Sequence, residues 1–214
     1  MFPEPPGGLK TESFVSSGDQ HRGLFLGHHA SERFGGATLD LAREAGYAKL
    51  SIEAVASRAG VGKHTVYRRW PSRGLLFLDA VLSLNTAGQD HPDTGDIMAD
   101  LREVMTRAAD LLGQPPWGPL YQDLIGEAQH DPEVAAALNR RFIEPQTTDT
   151  LARLEAAKDQ GQLAPDFDLD LAFEILSGPL YYRLLITQQP LTHAYIDRVL
   201  QAVFAGMSPR PQTR

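Results

Sequence analysis

The sequence predicts an all-α protein with a small N-terminal three-helix unit and a larger C-terminal helical body. From about Ser31 to Gly206, apolar residues recur at helical spacing nearly throughout. Runs of β-branched residues with a period of two and Asn-Gly turns, both typical of hairpins, are absent. With 214 residues, 42% of them apolar and 22% charged, the chain is long enough for one or two globular domains with a sizeable core. We predict about nine helices.

Proline and glycine divide the chain. They interrupt any regular period in residues 1–30, which predicts a flexible N-terminal tail. A second division at about Leu84–His91 separates an N-terminal domain, residues 31–86, from a body of residues 87–208. Residues 209–214 form a short C-terminal tail in this interpretation.

The predicted N-terminal domain, residues 31–86, contains the three-helix unit and a fourth predicted helix that follows it. Pro71 and Ser72 separate the last two, because proline cannot continue a helix and serine is a good N-cap. The pair Gly35-Gly36 should weaken the opening turn of the first helix by about 1 kcal/mol per glycine. The predicted helices are Ser31–Ala45, Ile52–Ala59, Lys63–Trp70 and Arg73–Leu84.

The body contains five predicted helices that follow the loop Ala87–Gly95. Pro145 lies inside the longest of them and should kink it. The predicted helices are Asp96–Leu112, Leu120–Gln129, Pro132–Gln160, Asp168–Thr187 and Thr192–Ala205.

The second and third helices form a helix-turn-helix. Ser51 is an N-cap, and Leu50 and Val55 occupy the positions of a hydrophobic staple across it. Gly60 stands at C′, where a left-handed backbone reverses the chain at little cost. Only Val61 and Gly62 then precede the next helix, which makes the turn tight. One apolar stripe buries the first helix of the pair: Ile52, Val55, Ala56 and Ala59.

The charge of the chain is sorted by position. Its 20 basic and 27 acidic residues give a net charge of −7, which by itself argues against a polyanionic partner. Residues 1–90, however, carry +1, and residues 91–214 carry −8. The basic segment Ala54–Leu78 contains five basic residues and no acidic one. On a helix-turn-helix, this distribution favours a DNA-binding surface over an ordinary solvated hairpin.

The second helix of such a pair enters the major groove with its N-terminal residues first. Lysine and arginine can reach guanine edges or phosphates, and hydroxyl groups suit phosphates. Val66 should face inward. His64 could titrate near neutral pH and tune DNA affinity, although a histidine here is more often a simple polar contact. The candidate DNA-binding residues are Ser51, Lys63, His64, Thr65, Tyr67, Arg68 and Arg73.

These segments resemble the DNA-binding domain of TetR-family transcriptional regulators over about 45 residues without a gap. The resemblance rests on Gly46-Tyr47, Leu50–Ala56, Gly60–Lys63 and Val66–Arg73. It implies an all-α homodimer that binds an operator and is usually released by a small ligand in the C-terminal domain. It also implies that Lys63, His64, Thr65 and Tyr67 lie on the recognition helix and that Ser51 and Arg73 hold phosphates.

The chain departs from the family pattern at three places. Gly62 stands where a serine often caps the recognition helix, and Arg73 replaces the more usual lysine with its charge kept. The Gly35-Gly36 pair occupies positions where helix formers are usual. No basic arm precedes the first helix, since only Lys10 and Arg22 lie upstream of Ser31, so minor-groove contact by the tail is not expected.

The last two helices predict a second chain. Both are apolar on more than one face, so one face can join the core while the other needs a partner. The segments Leu163–Asp166 and Gly178–Leu185 also resemble a TetR subgroup in which the last two helices form a four-helix dimer interface. We expect a homodimer through residues 168–187 and 192–205, with recognition helices about 34–36 Å apart on a palindromic operator. The alternative is that both helices form the core of a monomer.

A pocket for a small-molecule effector is expected in the body. Arg141, Glu127 or His130 could anchor a polar group there. Taken singly, such residues are more often ordinary core or surface than pocket lining, since aromatic residues at helical spacing usually pack. The lining candidates are Trp117, Tyr121, Leu124, Phe142, Phe173 and Tyr182.

Other classes of function have little support. The absence of cysteine excludes disulfides, thiolate metal sites and cysteine nucleophiles, and no phosphate loop, nucleophile elbow or zinc-protease motif is present. We therefore predict no enzyme, cofactor or metal site, and interpret His28-His29 as solvated. With no signal peptide and no membrane-spanning run, we expect a cytoplasmic protein without a membrane partner.

The leading hypothesis is a ligand-responsive, DNA-binding transcriptional regulator, a repressor that acts as a homodimer. The alternative is a helical small-molecule-binding protein that has lost operator recognition. The glycines of the first helix and the missing basic arm motivate that alternative.

Overall fold

The computed structural model describes residues 33–84 and 91–207, and within these ranges every regular element is helical. The predicted tails, residues 1–30 and 209–214, and His28-His29 lie outside the described residues. The helices are α1 (33–45), α2 (Ile52–Ala59), α3 (Lys63–Tyr67), α4 (Arg73–Leu82), α5 (Ile97–Gly113), α6 (Trp117–Ala128), α7 (Pro132–Leu138), α8 (Glu144–Asp159), α9 (Leu169–Tyr181) and α10 (His193–Met207).

The long helices of the body include two π turns. One, Asn139–Ile143, joins α7 to α8, and the other, Tyr182–Thr187, extends α9. The first ends two residues before Pro145, the residue predicted to disturb this helix. Proline lacks an N–H and clashes with the carbonyl four residues earlier, here that of Arg141, and a widened turn relieves both problems. With α7 and α8 counted as one helix, the described residues form the nine predicted helices.

The helix-turn-helix forms as its local signals predict. Ser51 Oγ accepts a hydrogen bond from the Ala54 N–H at 3.1 Å, which caps α2. Gly60 ends α2 in the left-handed region, at φ 70° and ψ 34°, and Val61 N–H then bonds back to Ala56. The predicted stripe of Ile52, Val55, Ala56 and Ala59 is buried.

Two of the described helix ends differ from the predictions by three residues. Helix α3 ends at Tyr67 rather than Trp70, because the N–H groups of both Arg69 and Trp70 bond to the Val66 carbonyl and tighten the chain there. Helix α6 begins at Trp117, three residues early, and its second residue closely approaches the end of α5. A Cβ on Gly118 would lie 2.1 Å from the Leu112 carbonyl oxygen, so only glycine fits this contact.

Helix α4 joins the N-terminal unit (residues 33–84) to the body (residues 91–207). It packs against α6 and α7, while within the body α5 contacts α6, α8 and α10. A Cβ on Gly74 of α4 would lie 2.6 Å from Val134 Cγ2 of α7, so these helices approach closely. Among the described residues, no helix combines the length and hydrophobicity needed to span a lipid bilayer.

Candidate nucleic-acid interface and ligand cavity

Helix α3 presents a polar face to solvent. Val66 is fully buried and anchors the helix, whereas Lys63, His64, Thr65 and Tyr67 are exposed, as is Arg68 just after it. Gly62 provides no side-chain cap for α3. Within the described residues, the side chains of Lys63, His64 and Thr65 form no hydrogen bond or ion pair, which leaves their donors and acceptors available to a partner.

Tyr67 is oriented by α2. Its hydroxyl donates to Glu53 Oε1 at 3.0 Å, and this hydrogen bond raises the pKa of Tyr67. While that bond is kept, the hydroxyl oxygen can only accept from a further partner, such as the exocyclic amino group of a base. Contact with a phosphate requires release of Glu53.

Not all of the basic segment is available to DNA. The Arg58 guanidinium binds both carboxylate oxygens of Glu44 on α1, at 3.0 and 2.6 Å. The Arg69 guanidinium lies 4.8 Å from the centroid of the Trp70 ring. Arg58 therefore ties α2 to α1, a role that its position in an acid-free segment does not indicate.

Ser51 and Arg73 stand at the starts of α2 and α4 but differ in what holds them. Ser51 Oγ accepts from the backbone, so its hydroxyl proton remains to be donated, as phosphate binding requires. The Arg73 guanidinium lies 4.8 Å from the Tyr47 ring centroid and 3.8 Å from Glu127 Oε2. Glu127, predicted as a pocket anchor, instead faces the N-terminal unit.

A second polar link joins the N-terminal unit to the body. Trp70 Nε1 donates to Asp79 Oδ2 at 2.6 Å, and the Arg141 guanidinium forms an ion pair with Oδ1 of the same carboxylate. Trp70 is buried edge-on against Phe34 of α1, with centroids 5.3 Å apart. Arg141 belongs to the π turn Asn139–Ile143. Its side chain binds α4 instead of serving as the predicted pocket anchor.

The body contains a cavity of about 590 Å³ between α5, α8, α9 and the π turn Asn139–Ile143. Two predicted lining residues, Phe142 and Phe173, are in its wall. The apolar part of the wall also includes Leu101, Met105 and Leu112 of α5 with Ile143, Leu176 and Leu180. Sequence reasoning missed these residues, because the cavity is built by α5, α8 with its preceding π turn, and α9, which are far apart in sequence.

The other four predicted lining residues lie elsewhere. Trp117 stacks on Tyr121, with ring centroids 5.6 Å apart, and both are buried, as is Leu124, but none of the three is part of the cavity wall. Tyr182 is 58% exposed, and His130, the third predicted anchor, is exposed after α6. Helical spacing identifies the face on which an aromatic residue lies but not the element that covers that face.

The last two helices differ in how their apolar residues are covered. Five large apolar residues of α10 are buried in the single chain: Ile196, Val199, Leu200, Val203 and Phe204. On α9 and its π turn, by contrast, Leu171, Ile175, Tyr182 and Ile186 are exposed on one face. We call these four residues the α9 stripe.

No group of three or more histidine, aspartate or glutamate side chains in the described ranges could hold a metal ion.

Comparisons with known proteins cover both parts of the chain. Residues 36–80 match the model of bacterial regulatory proteins of the tetR family, and residues 91–203 match that of the tetracyclin repressor-like C-terminal domain.

The chain also resembles individual regulators over most of their lengths. It is 29% identical to the HTH-type transcriptional regulator YdeS of Bacillus subtilis, over 83% of this chain and 89% of the relative. It is 32% identical to the DNA-binding transcriptional repressor TetR of Mycobacteroides abscessus, over 74% of this chain and 83% of the relative. The crystal structure of the TetR family transcription regulator SCO0332 superimposes with a TM-score of 0.64 at 32% identity, over 84% of this chain and 99% of that one. The chain therefore belongs to the TetR family of ligand-responsive, DNA-binding transcriptional repressors.

Proposed function

We propose that this protein represses transcription as a homodimer that binds a palindromic operator through two copies of α3. The observation that supports this most directly is α3 itself: Val66 is buried, and Lys63, His64 and Thr65 are exposed without partners among the described residues. Such a helix presents base-reading and phosphate-binding groups at the end of a rigid frame. In this proposal residues 31–86 bind DNA, residues 87–208 bind ligand and dimerise, and the protein acts in the cytoplasm.

The α9 stripe supports the dimer. Four large apolar side chains on one exposed helix face favour association with another apolar surface. A twofold axis would pair the stripe with its own copy, because a twofold dimer uses the same patch on both chains. Two recognition helices would then stand about 34–36 Å apart, one turn of DNA.

The π turn Asn139–Ile143 supports the response to ligand. Phe142 and Ile143 line the cavity, and the preceding residue, Arg141, is paired with Asp79 of α4. Asp79 in turn accepts from Trp70, three residues after the end of α3. A ligand that displaces this turn shifts α4 and α3, and releases DNA if it prefers the conformation that fits the operator poorly.

The alternative, a ligand-binding protein that has lost operator recognition, is not favoured. Its motivation lies in Gly35-Gly36 and the missing basic arm, yet residues 33–45 are helical and the helix-turn-helix is complete. Relatives along most of the chain are named transcriptional regulators. We expect no enzymatic activity for the same reason.

The test is binding to the DNA directly upstream of the protein's own gene, measured by fluorescence anisotropy. We expect Lys63→Ala and Tyr67→Ala each to weaken binding about 5- to 150-fold, because one base or phosphate contact contributes about 1–3 kcal/mol. Arg198→Ala, which removes an exposed arginine of α10, should leave the affinity unchanged. Wild-type affinity in both α3 variants would refute the proposed recognition helix, provided that the variants remain folded by circular dichroism.

A further inference from the structure

The polar groups deep in the cavity wall are already hydrogen-bonded within the protein. His91 Nε2 and Thr150 Oγ1 are 2.9 Å apart, and Ser177 Oγ donates to a backbone carbonyl of its own helix at 2.8 Å. Gln146 Nε2 donates to the Phe142 carbonyl at 3.0 Å. These groups therefore offer few unused donors to a ligand.

The formally charged side chains of the wall stand where solvent reaches them. Arg107 lies 3.8 Å from Glu103, and Asp110 lies 2.8 Å from His193 Nε2. The side chains of Arg107 and Asp110 are 43% and 57% exposed. Each pairs with its neighbour at the solvent-exposed edge of the wall and not with a buried ligand. A charged group placed in the apolar interior would lose its hydration without gaining a partner, and that is costly.

Besides the second N–H of the Gln146 amide, one more donor is available in the wall, the hydroxyl of Tyr181. The hydroxyl oxygens of Tyr121 and Tyr181 are 2.9 Å apart, and this bond uses one of their two protons. Tyr121 is fully buried behind the wall, whereas Tyr181 is part of the wall. When Tyr121 donates to Tyr181, the proton of Tyr181 remains for a ligand in the cavity. Burial raises the pKa of both phenols, so both stay protonated at neutral pH.

We infer that the cavity takes an uncharged, mainly apolar ligand with one hydrogen-bond acceptor, such as a carbonyl oxygen, and that the Tyr181 hydroxyl donates to that acceptor. A cavity of about 590 Å³ is large enough for a molecule of two or more rings. The inference rests on the proposed function only in treating this ligand as the effector that releases DNA.

The test uses four two-ring probes of similar shape that differ in one group. Benzophenone carries a carbonyl, diphenylmethane has no acceptor, diphenylacetate is an anion and benzhydrylamine is a cation. Equilibrium dialysis against the full chain measures each dissociation constant. We expect benzophenone to bind about fivefold more tightly than diphenylmethane, the effect of one net hydrogen bond. Both ions should bind at least about tenfold more weakly than benzophenone, since each would bury an unpaired charge.

Matched variants test whether Tyr181 causes the preference for benzophenone over diphenylmethane. Tyr181→Phe should abolish the preference for benzophenone while diphenylmethane keeps its affinity, and Ala108→Trp should weaken all probes by filling the cavity. Tyr195→Phe is the control, because that hydroxyl donates to the Pro179 carbonyl and Tyr195 is not part of the wall. Tighter binding of either ion, no binding of benzophenone up to its solubility, or an undiminished benzophenone preference in Tyr181→Phe would overturn the inference.

Operator binding distinguishes this inference from the proposed function. Dialysis is done without DNA, so a failure there leaves the assignment of α3 intact. If benzophenone binds as expected and the operator affinity does not change, the ligand class stands and the proposed release of DNA by a ligand in this cavity fails.

Discussion

Asp100 of α5 and Arg153 of α8 form a buried ion pair, with exposed fractions of 1% and 5%. Arg153 Nε and Nη2 both donate to Asp100 Oδ2, at 2.8 and 2.6 Å, and Thr94 donates to the same carboxylate through its backbone N–H and its hydroxyl. Burial alone would raise the pKa of Asp100, but the hydrogen bonds from Thr94 and Arg153 outweigh it and lower the pKa.

Asp100→Asn should destabilise the fold by about 3 kcal/mol at pH 7, because it leaves the buried Arg153 charge with only the exposed Asp93, at 3.4 Å, as a carboxylate partner. The measurement is the free energy of unfolding in urea. Asp197→Asn is the control, since it breaks an exposed pair with Arg102 at 2.7 Å and should cost less than about 1 kcal/mol. Equal losses in the two variants would contradict a special role for the buried pair.

Asp100→Asn should also change how the free energy of unfolding depends on pH. A carboxyl group with a lowered pKa in the folded state stabilises above its unfolded pKa of about 4, and that contribution is lost as the pH falls through the folded value. The wild type should therefore lose stability on acidification more steeply than Asp100→Asn, and the two curves should converge. Parallel curves would indicate that Asp100 does not contribute.

At the scale of single residues, the sequence predicts local bonds and misses distant ones. The Ser51 cap and the Gly60 turn follow from neighbours within four residues. The pairs Arg58–Glu44, Arg73–Glu127 and Arg153–Asp100 join residues 14, 54 and 53 positions apart, and no periodic pattern indicates them.

At the scale of elements, the contact between α4 and the π turn Asn139–Ile143 is the feature with the clearest functional consequence. Arg141 pairs with one oxygen of Asp79 while Trp70 donates to the other, so one carboxylate of α4 holds both the turn and the segment that follows α3. The side chains of Arg141 and Asp79 are both partly exposed, yet their ion pair connects the cavity wall to the N-terminal unit.

Arg141→Leu and Asp79→Asn should each weaken operator binding about three- to tenfold, and the double variant should be no weaker than either single one. The reason is that both changes remove one interaction, and such pairs are not additive. Anisotropy with the operator DNA measures all three affinities. Arg140→Leu, the neighbouring exposed arginine of the same turn, is the control and should bind normally. Additive losses would show that the two residues act separately.

Helix positions follow from the sequence, but some helix ends depend on tertiary contacts. Trp117 begins α6 because its ring is buried against Tyr121 and Phe142. The sequence pattern alone predicts a later start, at Leu120. Likewise, Pro145 predicts a disturbance in the long helix, but the π turn that results, and its contact with α4, depend on the packing of the body.

At the scale of the whole molecule, α10 and α9 play different parts. Helix α10 buries its apolar residues within the single chain, mainly against α5, whereas the α9 stripe remains exposed. The apolar residues of α10 thus belong to the core of the single chain, as the monomer-core alternative expects for both helices. The proposed dimer depends on the α9 stripe.

Ile175→Asp combined with Ile186→Asp should convert the dimer to a monomer of 23.5 kDa, because two like charges would meet their copies across the twofold axis. Light scattering coupled to size-exclusion chromatography measures the mass. Ala136→Asp, an exposed position on α7, should leave the dimer intact. A folded double variant that keeps the dimer mass would place the interface elsewhere.

The sequence by itself determined the all-α class, the position of each helix, the helix-turn-helix and the buried side of α3. All of these depend on hydrogen bonds and periodicities within one or two turns of the chain, which neighbouring residues encode. Only the tertiary structure decided which basic residues stay available for DNA, which aromatic residues line the cavity and which helix face remains exposed. Those properties arise where helices far apart in sequence meet, since a side chain's partner and its burial depend on the element packed against it.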